Sequence, residues 1–358
     1  MDTSSEHAGG GGQRDVALVL SGGSINGVLM ELGFLQCVRE TELWPRVGWI
    51  FGTSAGALAG TMAALDRLDD LEAFLLDLQP DDAFRPRKLW RLPLLGALEY
   101  TLPATVAREF GNLDDVARAL AESERELIVS VTDVTDTTGE AEHDYELVYR
   151  SRTTPPELFA SAILASAAIS TLVLPLRVGD RIATDGAWAR NLPLAHAYAQ
   201  PEVERIVAFR YVARYPRADA TGLVRVRERL QRFGRVPPVR ALIEELREAE
   251  ERDRRGEPPH MLDMIRRVMR VAVLRNTLLE ERWADEKDGS IRELQALRHD
   301  VAALVAERVT DPDERRALLS EIDRRFAGAR FPFRHDRLLP RITVRATPGA
   351  VRAPAGAG

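Results

Sequence analysis

The sequence predicts an α/β fold, a mainly parallel sheet between helical layers with a helical C-terminal extension, and three observations predict it. Short apolar runs alternate with helical patterns from Val16 to Tyr211. Two of these runs end in glycine turns that open directly into helices. After Pro216 the composition changes to long Arg/Glu-rich segments with few strand signals.

The first run, Val16 to Leu20, is continuously apolar, as a buried parallel strand must be. It enters Ser21-Gly22-Gly23-Ser24-Ile25-Asn26-Gly27, after which Val28, Leu29, Leu32, Leu35 and Val38 recur at helical spacing. A glycine turn between strand and helix presents free N–H groups to an anion. A dinucleotide fingerprint is the competing reading, but Ser24 fills its middle glycine position. Cys37, set among Phe34, Leu35 and Val38, reads as a buried structural thiol, and as the single cysteine it can form no internal disulfide.

The second run, Val47 to Phe51, leads into Gly52-Thr53-Ser54-Ala55-Gly56 and the small-residue helix Ala57 to Leu65. A serine in a sharp strand-to-helix turn projects its hydroxyl clear of the backbone, and small neighbours let strand and helix approach. Ser54 is therefore a candidate nucleophile, and the Gly22 to Ser24 turn a candidate oxyanion site. Read alone, the pattern equally describes a glycine-bearing loop with an incidental serine.

Further strands are expected at Leu127 to Val131, Tyr145 to Tyr149, Leu172 to Val178, Arg181 to Thr184 and Ile206 to Tyr211. The proline-punctuated stretch Pro80 to Pro103, with Phe84, Trp90 and Tyr100, interrupts them as a cap or an irregular packed loop. Asp185-Gly186-Ala187 closes the Arg181 strand, followed by Asn191-Leu192-Pro193. An acid and a glycine at a strand end can be a turn signal alone.

In this order the motifs resemble those of the patatin-like phospholipases, over roughly residues 15 to 212. Thr132-Asp133 with the Thr137-Thr138-Gly139 turn is similar to the family's central strand and hairpin, and Ala165 to Ile169 to the segment before its aspartate strand. The resemblance implies a three-layer α/β/α core and a histidine-free dyad, with Ser54 as nucleophile and Asp185 as base. It implies an oxyanion hole at Gly22, Gly23 and Ser24, supported by Asn26, Gly27, Gly52, Gly56 and Gly186, and a lipid or acyl-ester substrate. Ser24, Asn26 and Ser170 stand where the family usually has glycine, a basic residue and proline.

Three alternatives stay open: a Ser-Asp-His triad using His196 or His260, an acyltransferase, and a silent lipid-binding relative. The net charge of −6 gives no footprint for nucleic acid. Scattered histidines show no metal spacing, and no cofactor is expected.

The organisation expected is a disordered leader over 1–14, the patatin-like domain over 15–212, a mainly helical extension over 213–346 and a disordered tail over 347–358. Met261, Leu262, Ile265, Val268, Met269, Ala272 and Leu279 form a helical apolar stripe expected to pack on its own domain; a basic membrane-surface helix is the other reading. Leu294, Leu297, Val301, Leu304 and Val305 mark another helix, and Asp311-Pro312-Asp313-Glu314 a capped start. Leu338 to Ala346 is expected to return to the sheet edge. A cytoplasmic protein with at most peripheral membrane contact is expected.

Overall fold

The structure, a computed structural model, describes residues 14–86, 98–138, 145–169, 173–211, 261–329 and 338–345, with isolated positions between 228 and 255. The leader, the tail, Trp90, Gly139, Ser170 and His260 lie outside the described residues. Compactness divides the chain into Met1–Tyr211 with Asn276–Ala346, and Val212–Arg275 with Thr347–Gly358. The site belongs to the first unit.

The first unit begins with β1 (Val16–Leu20), α1 (Ser24–Arg39), β2 (Val47–Gly52), α2 (Ala55–Ala64) and α3 (Leu68–Asp77). Then come α4 (Pro80–Ala83), β3 (Phe84–Pro86), β4 (Leu98–Tyr100), α5 (Leu102–Phe110) and α6 (Leu113–Glu122). These lead to β5 (Glu126–Asp133), β6 (Glu146–Arg150), α7 (Pro156–Ser166), β7 (Leu176–Val178) and β8 (Arg181–Thr184). The described chain ends with α8 (Ala187–Arg190), α9 (Leu194–Ala199), β9 (Arg205–Arg210), α10 (Met261–Arg308), α11 (Pro312–Gly328) and β10 (Arg341–Arg345).

The main sheet runs β10-β9-β1-β2-β5-β8-β7, with β6 also on β5. Pairs from β10 to β5 are parallel, while β6, β7 and β8 add antiparallel pairs. Strand alternation divides the core into two faces. Val16, Leu18 and Leu20 join the α1, α2 and α7 side, whereas Ala17 and Val19 join Leu194, Ala197 and Ala284 on the other. That is the three-layer core the sequence implies. Leu338 to Ala346 does return to the sheet, as β10 on β9 in parallel register.

Three expectations need correction. Cys37 is exposed, because at 100° per residue it shares the outer face of α1 with Gly33 and Glu40. The two helices expected between Met261 and Val305 are one continuous helix, α10. Its apolar stripe is also not its docking face: Val268 is 59% exposed and Leu279 43%. Buried instead are Thr277, Glu280, Glu281, Ala284, Lys287, Asp288 and Ile291. Polar partners explain the inversion. Glu280 pairs with Arg190, Glu281 with Arg210, and Tyr198 Oη donates to Asp288 Oδ1 at 2.9 Å. The stripe residues Met261, Leu262 and Ile265 have side chains outside the described set.

The capped start of α11 is as expected, with Asp311 Oδ1 accepting from the Asp313 N–H at 2.7 Å. Glu31 on α1 is fully buried with both carboxylate oxygens unpartnered, and burial holds its pKa well above the usual carboxylate range. Among the described residues no helix is long and apolar enough to cross a membrane.

Candidate active site

Ser54 sits where β2 ends and α2 begins, with φ 54° and ψ −114°, a conformation disfavoured for residues bearing a Cβ. Such strain costs about 1–3 kcal/mol and persists only when its surroundings enforce it. Here the surroundings are tight. A Cβ on Gly52 would lie 2.3 Å from the Gly56 carbonyl oxygen, and one on Gly56 2.5 Å from that of Leu20. Thr53 Oγ1 donates to the Arg190 carbonyl at 2.9 Å. The Ser54 N–H donates to Ser166 Oγ at 2.9 Å, and Ser166 Oγ donates onward to the Ser130 carbonyl at 2.8 Å.

Asp185 follows β8, whose pairing with the end of β5 brings it across the sheet to Ser54. Ser54 Oγ donates to Asp185 Oδ2 at 2.9 Å, and the Ala187 N–H donates to Oδ1 at 2.9 Å. Thr132 Oγ1 donates to the Asp185 carbonyl at 2.8 Å. Gly186 is confined as well, since a Cβ there would stand 2.1 Å from the Ser130 carbonyl oxygen. Burial raises the Asp185 pKa to about 6, against the opposing pull of the Ala187 and Ser54 bonds. Tyr100 stays protonated beside it, its hydroxyl pushed up by burial and by the Asp185 charge, and donates to the Leu164 carbonyl at 3.1 Å.

The glycine turn departs from expectation at one atom. The Gly22 N–H donates to the Asn191 carbonyl at 3.0 Å, so it is not free to face an oxyanion. The Gly23 and Ser24 N–H groups carry no hydrogen bond among the described residues. Ser24 takes φ 55°, a left-handed conformation suited to the glycine it replaces. Gly27 packs toward Ala55, and Asn26 is exposed on the first turn of α1.

His196 is tied elsewhere: its Nε2 lies 2.7 Å from Glu146 Oε1. Although burial opposes it, His196 and Arg190 hold the Glu146 pKa down to about 2. Neither Asp185 oxygen has a histidine partner among the described residues. Ser166, Thr132 and Tyr100 are site neighbours to which sequence reasoning assigned no role of their own.

Ser54 and Ser24 line a cavity of about 1060 Å³, open solvent at its mouth included. Leu58, Met62, Phe74, Phe84 and Ile163 are among its lining residues, and its walls are overwhelmingly apolar.

A serine in a G-x-S-x-G turn after β2 thus meets an acid that follows β8, across the intervening β5, in an α/β/α core. The family model for patatin-like phospholipase matches residues 18–198, just over half of the chain, and the chain belongs to that family. No curated protein matches the sequence. Among solved structures, VipD from Legionella pneumophila aligns with 14% identity and a TM-score of 0.40, over 62% of this chain and 55% of that one. The chain thus spans little more than half the length of that neighbour.

Proposed function

We propose that the protein hydrolyses carboxylic esters of lipids through a Ser54–Asp185 dyad. The 2.9 Å bond from Ser54 Oγ to Asp185 Oδ2, with Ser54 lining an apolar cavity, carries the reading. Asp185 accepts the Ser54 proton as Oγ attacks the ester carbonyl. The Gly23 and Ser24 N–H groups, unbonded among the described residues, would stabilise the oxyanion at the start of α1, and the positive end of that helix dipole would add to them. Collapse of the tetrahedral intermediate transfers the proton from Asp185 to the leaving alcohol. A water then loses its proton to Asp185 and attacks the acyl-Ser54 carbonyl, and collapse of that intermediate releases the fatty acid as Asp185 returns the proton to Ser54 Oγ.

A carboxyl with a pKa of about 6 suits this work, because it is ionised at neutral pH yet more basic than an exposed aspartate. The cavity would hold the acyl chain. Ile25, which lines it and is 41% exposed, and Leu29, 45% exposed, offer a peripheral contact with a lipid surface. A cytoplasmic setting with a domain over 15–212 and an extension over 213–346 completes the proposal.

Labelling with a fluorophosphonate, with mapping of the modified residue, tests it. Label on Ser54 together with ester turnover supports the dyad. Absence of both in the folded wild type favours a lipid-binding protein.

A further inference from the structure

The segment following Asp185 connects all the working parts of the proposed site. Its Ala187 N–H binds Asp185 Oδ1, its Arg190 carbonyl accepts from Thr53 Oγ1, and its Asn191 carbonyl accepts from the Gly22 N–H. The Asn191 side chain wedges against the glycine turn, with Oδ1 2.4 Å from where a Gly22 Cβ would stand. Yet α8 is only four residues long, so its carbonyls lack N–H donors within their own helix.

Helix α10 supplies the missing partners. Asn276 Nδ2 approaches the carbonyl oxygens of Ala187, Trp188 and Ala189 at 3.5, 3.0 and 2.6 Å. Its two hydrogens cannot serve three acceptors equally, so the two nearer carbonyls take them. Thr277 Oγ1, in a residue 1% exposed, accepts from Asn191 Nδ2 at 2.8 Å. One turn later Glu280 pairs with Arg190 and accepts from the Ala195 N–H at 3.1 Å.

We propose that Asn276 and Thr277 are positioning residues, through which α10 sets the placement of the Asp185 carboxylate, the Ser54 turn and the Gly22-Gly23-Ser24 turn together. This rests on the Ser54–Asp185 reading. Neither side chain touches the reacting atoms. They act by fixing residues 187–191, and a shift of about 1 Å in such a frame can cost up to about a hundredfold in turnover.

Full-length Thr277→Val, Thr277→Ser and Asn276→Ala variants provide the test, with short-chain p-nitrophenyl esters, fluorophosphonate labelling and thermal melts. Thr277→Val keeps the volume and removes the hydroxyl. It is expected to lower kcat about tenfold or more with KM little changed, while Thr277→Ser restores most of the rate. A loosened Ala187 N–H stabilises the Asp185 carboxylate less well. Among the described residues, the titratable group that responds to that carboxylate's charge is the neutral Tyr100 hydroxyl. The acid limb of kcat/KM should therefore move to higher pH in Thr277→Val and Asn276→Ala, which a loss of stability alone would not produce. If Thr277→Val fails to fold, Asn276→Ala decides by the same readouts. Wild-type kcat and an unmoved acid limb in a folded variant would overturn the proposal. Ester hydrolysis by the wild type without label on Ser54 would instead overturn the dyad on which it rests.

Discussion

Gly56 and Leu20 meet backbone to backbone: a Cβ on the first would stand 2.5 Å from the carbonyl oxygen of the second. The helix after Ser54 is thereby held against the strand that leads to the glycine turn. No side chain can enter that contact without moving one of the two.

Gly56→Ala should therefore destabilise the fold by about 3 kcal/mol or more, since the obstacle is backbone rather than a movable side chain. Gly33→Ala is the matched control, because nothing lies within 4 Å of its Cβ position in α1. It should stabilise by about 0.5–1 kcal/mol. Urea unfolding of both variants checks the contrast.

Ser54→Ala should remove hydrolysis and labelling, lowering kcat by several orders of magnitude, and Asp185→Asn should be nearly as damaging. Because the two act as one unit, the double variant should lose little more. His196→Ala should keep most activity, since its partner is Glu146. A histidine variant as inactive as Ser54→Ala would restore the triad alternative.

Activity and stability should move oppositely with pH around Asp185. The base must be ionised, so kcat/KM should rise as pH increases through about 6. A buried acid with a raised pKa binds more protons folded than unfolded. Its contribution to stability is fully present below the unfolded pKa near 3.8 and falls until pH passes about 6, by roughly 3 kcal/mol. Asp185→Asn should flatten this part of the profile. Urea unfolding of wild type and variant at pH 4.5 and 7.5 measures the difference.

Narrowing the cavity should change acyl selection. Met62→Trp should displace about two methylenes, worth roughly 1.6 kcal/mol, and so lower the ratio of long-chain to short-chain ester kcat/KM about tenfold. An unchanged ratio in the folded variant would mean that the chain lies elsewhere.

Glu31 is a separate liability, buried without a partner for either oxygen. Its raised pKa makes its charged form costly as pH climbs above the ordinary carboxylate range. Glu31→Gln should raise Tm at pH 8 more than at pH 5, as differential scanning calorimetry would show.

Much of this was readable from the chain. The continuous apolar run Val16 to Leu20 and the short run Arg181 to Thr184, apolar at its centre, have the observed strand bounds, because turn residues delimit them sharply. Gly52, Ser54, Gly56 and Asp185 were legible because a strained turn and a strand-end acid each demand particular residue types. The roles of the residues around them left no signal. Ser166 and Thr132 each act through two hydroxyl bonds to distant backbone, which any serine or threonine can form. The engagement of the Gly22 N–H depended on where Asn191 lies in space. On α10 the docking face is polar, so hydrophobic periodicity pointed to the wrong side of the helix.

The parallel pairing of β10 with β9 also imposes an order on biosynthesis. Ribosomes deliver Ser54, Asp185 and β9 first, and the strand that covers β9 emerges roughly ten seconds later at ordinary elongation rates. During that interval the nascent sheet ends in Arg205–Arg210, a strand whose outer hydrogen-bonding groups are unsatisfied and open to pairing with another chain. Premature termination after β9 would make that exposure permanent, so truncated products should be lost to aggregation rather than accumulate as a smaller enzyme.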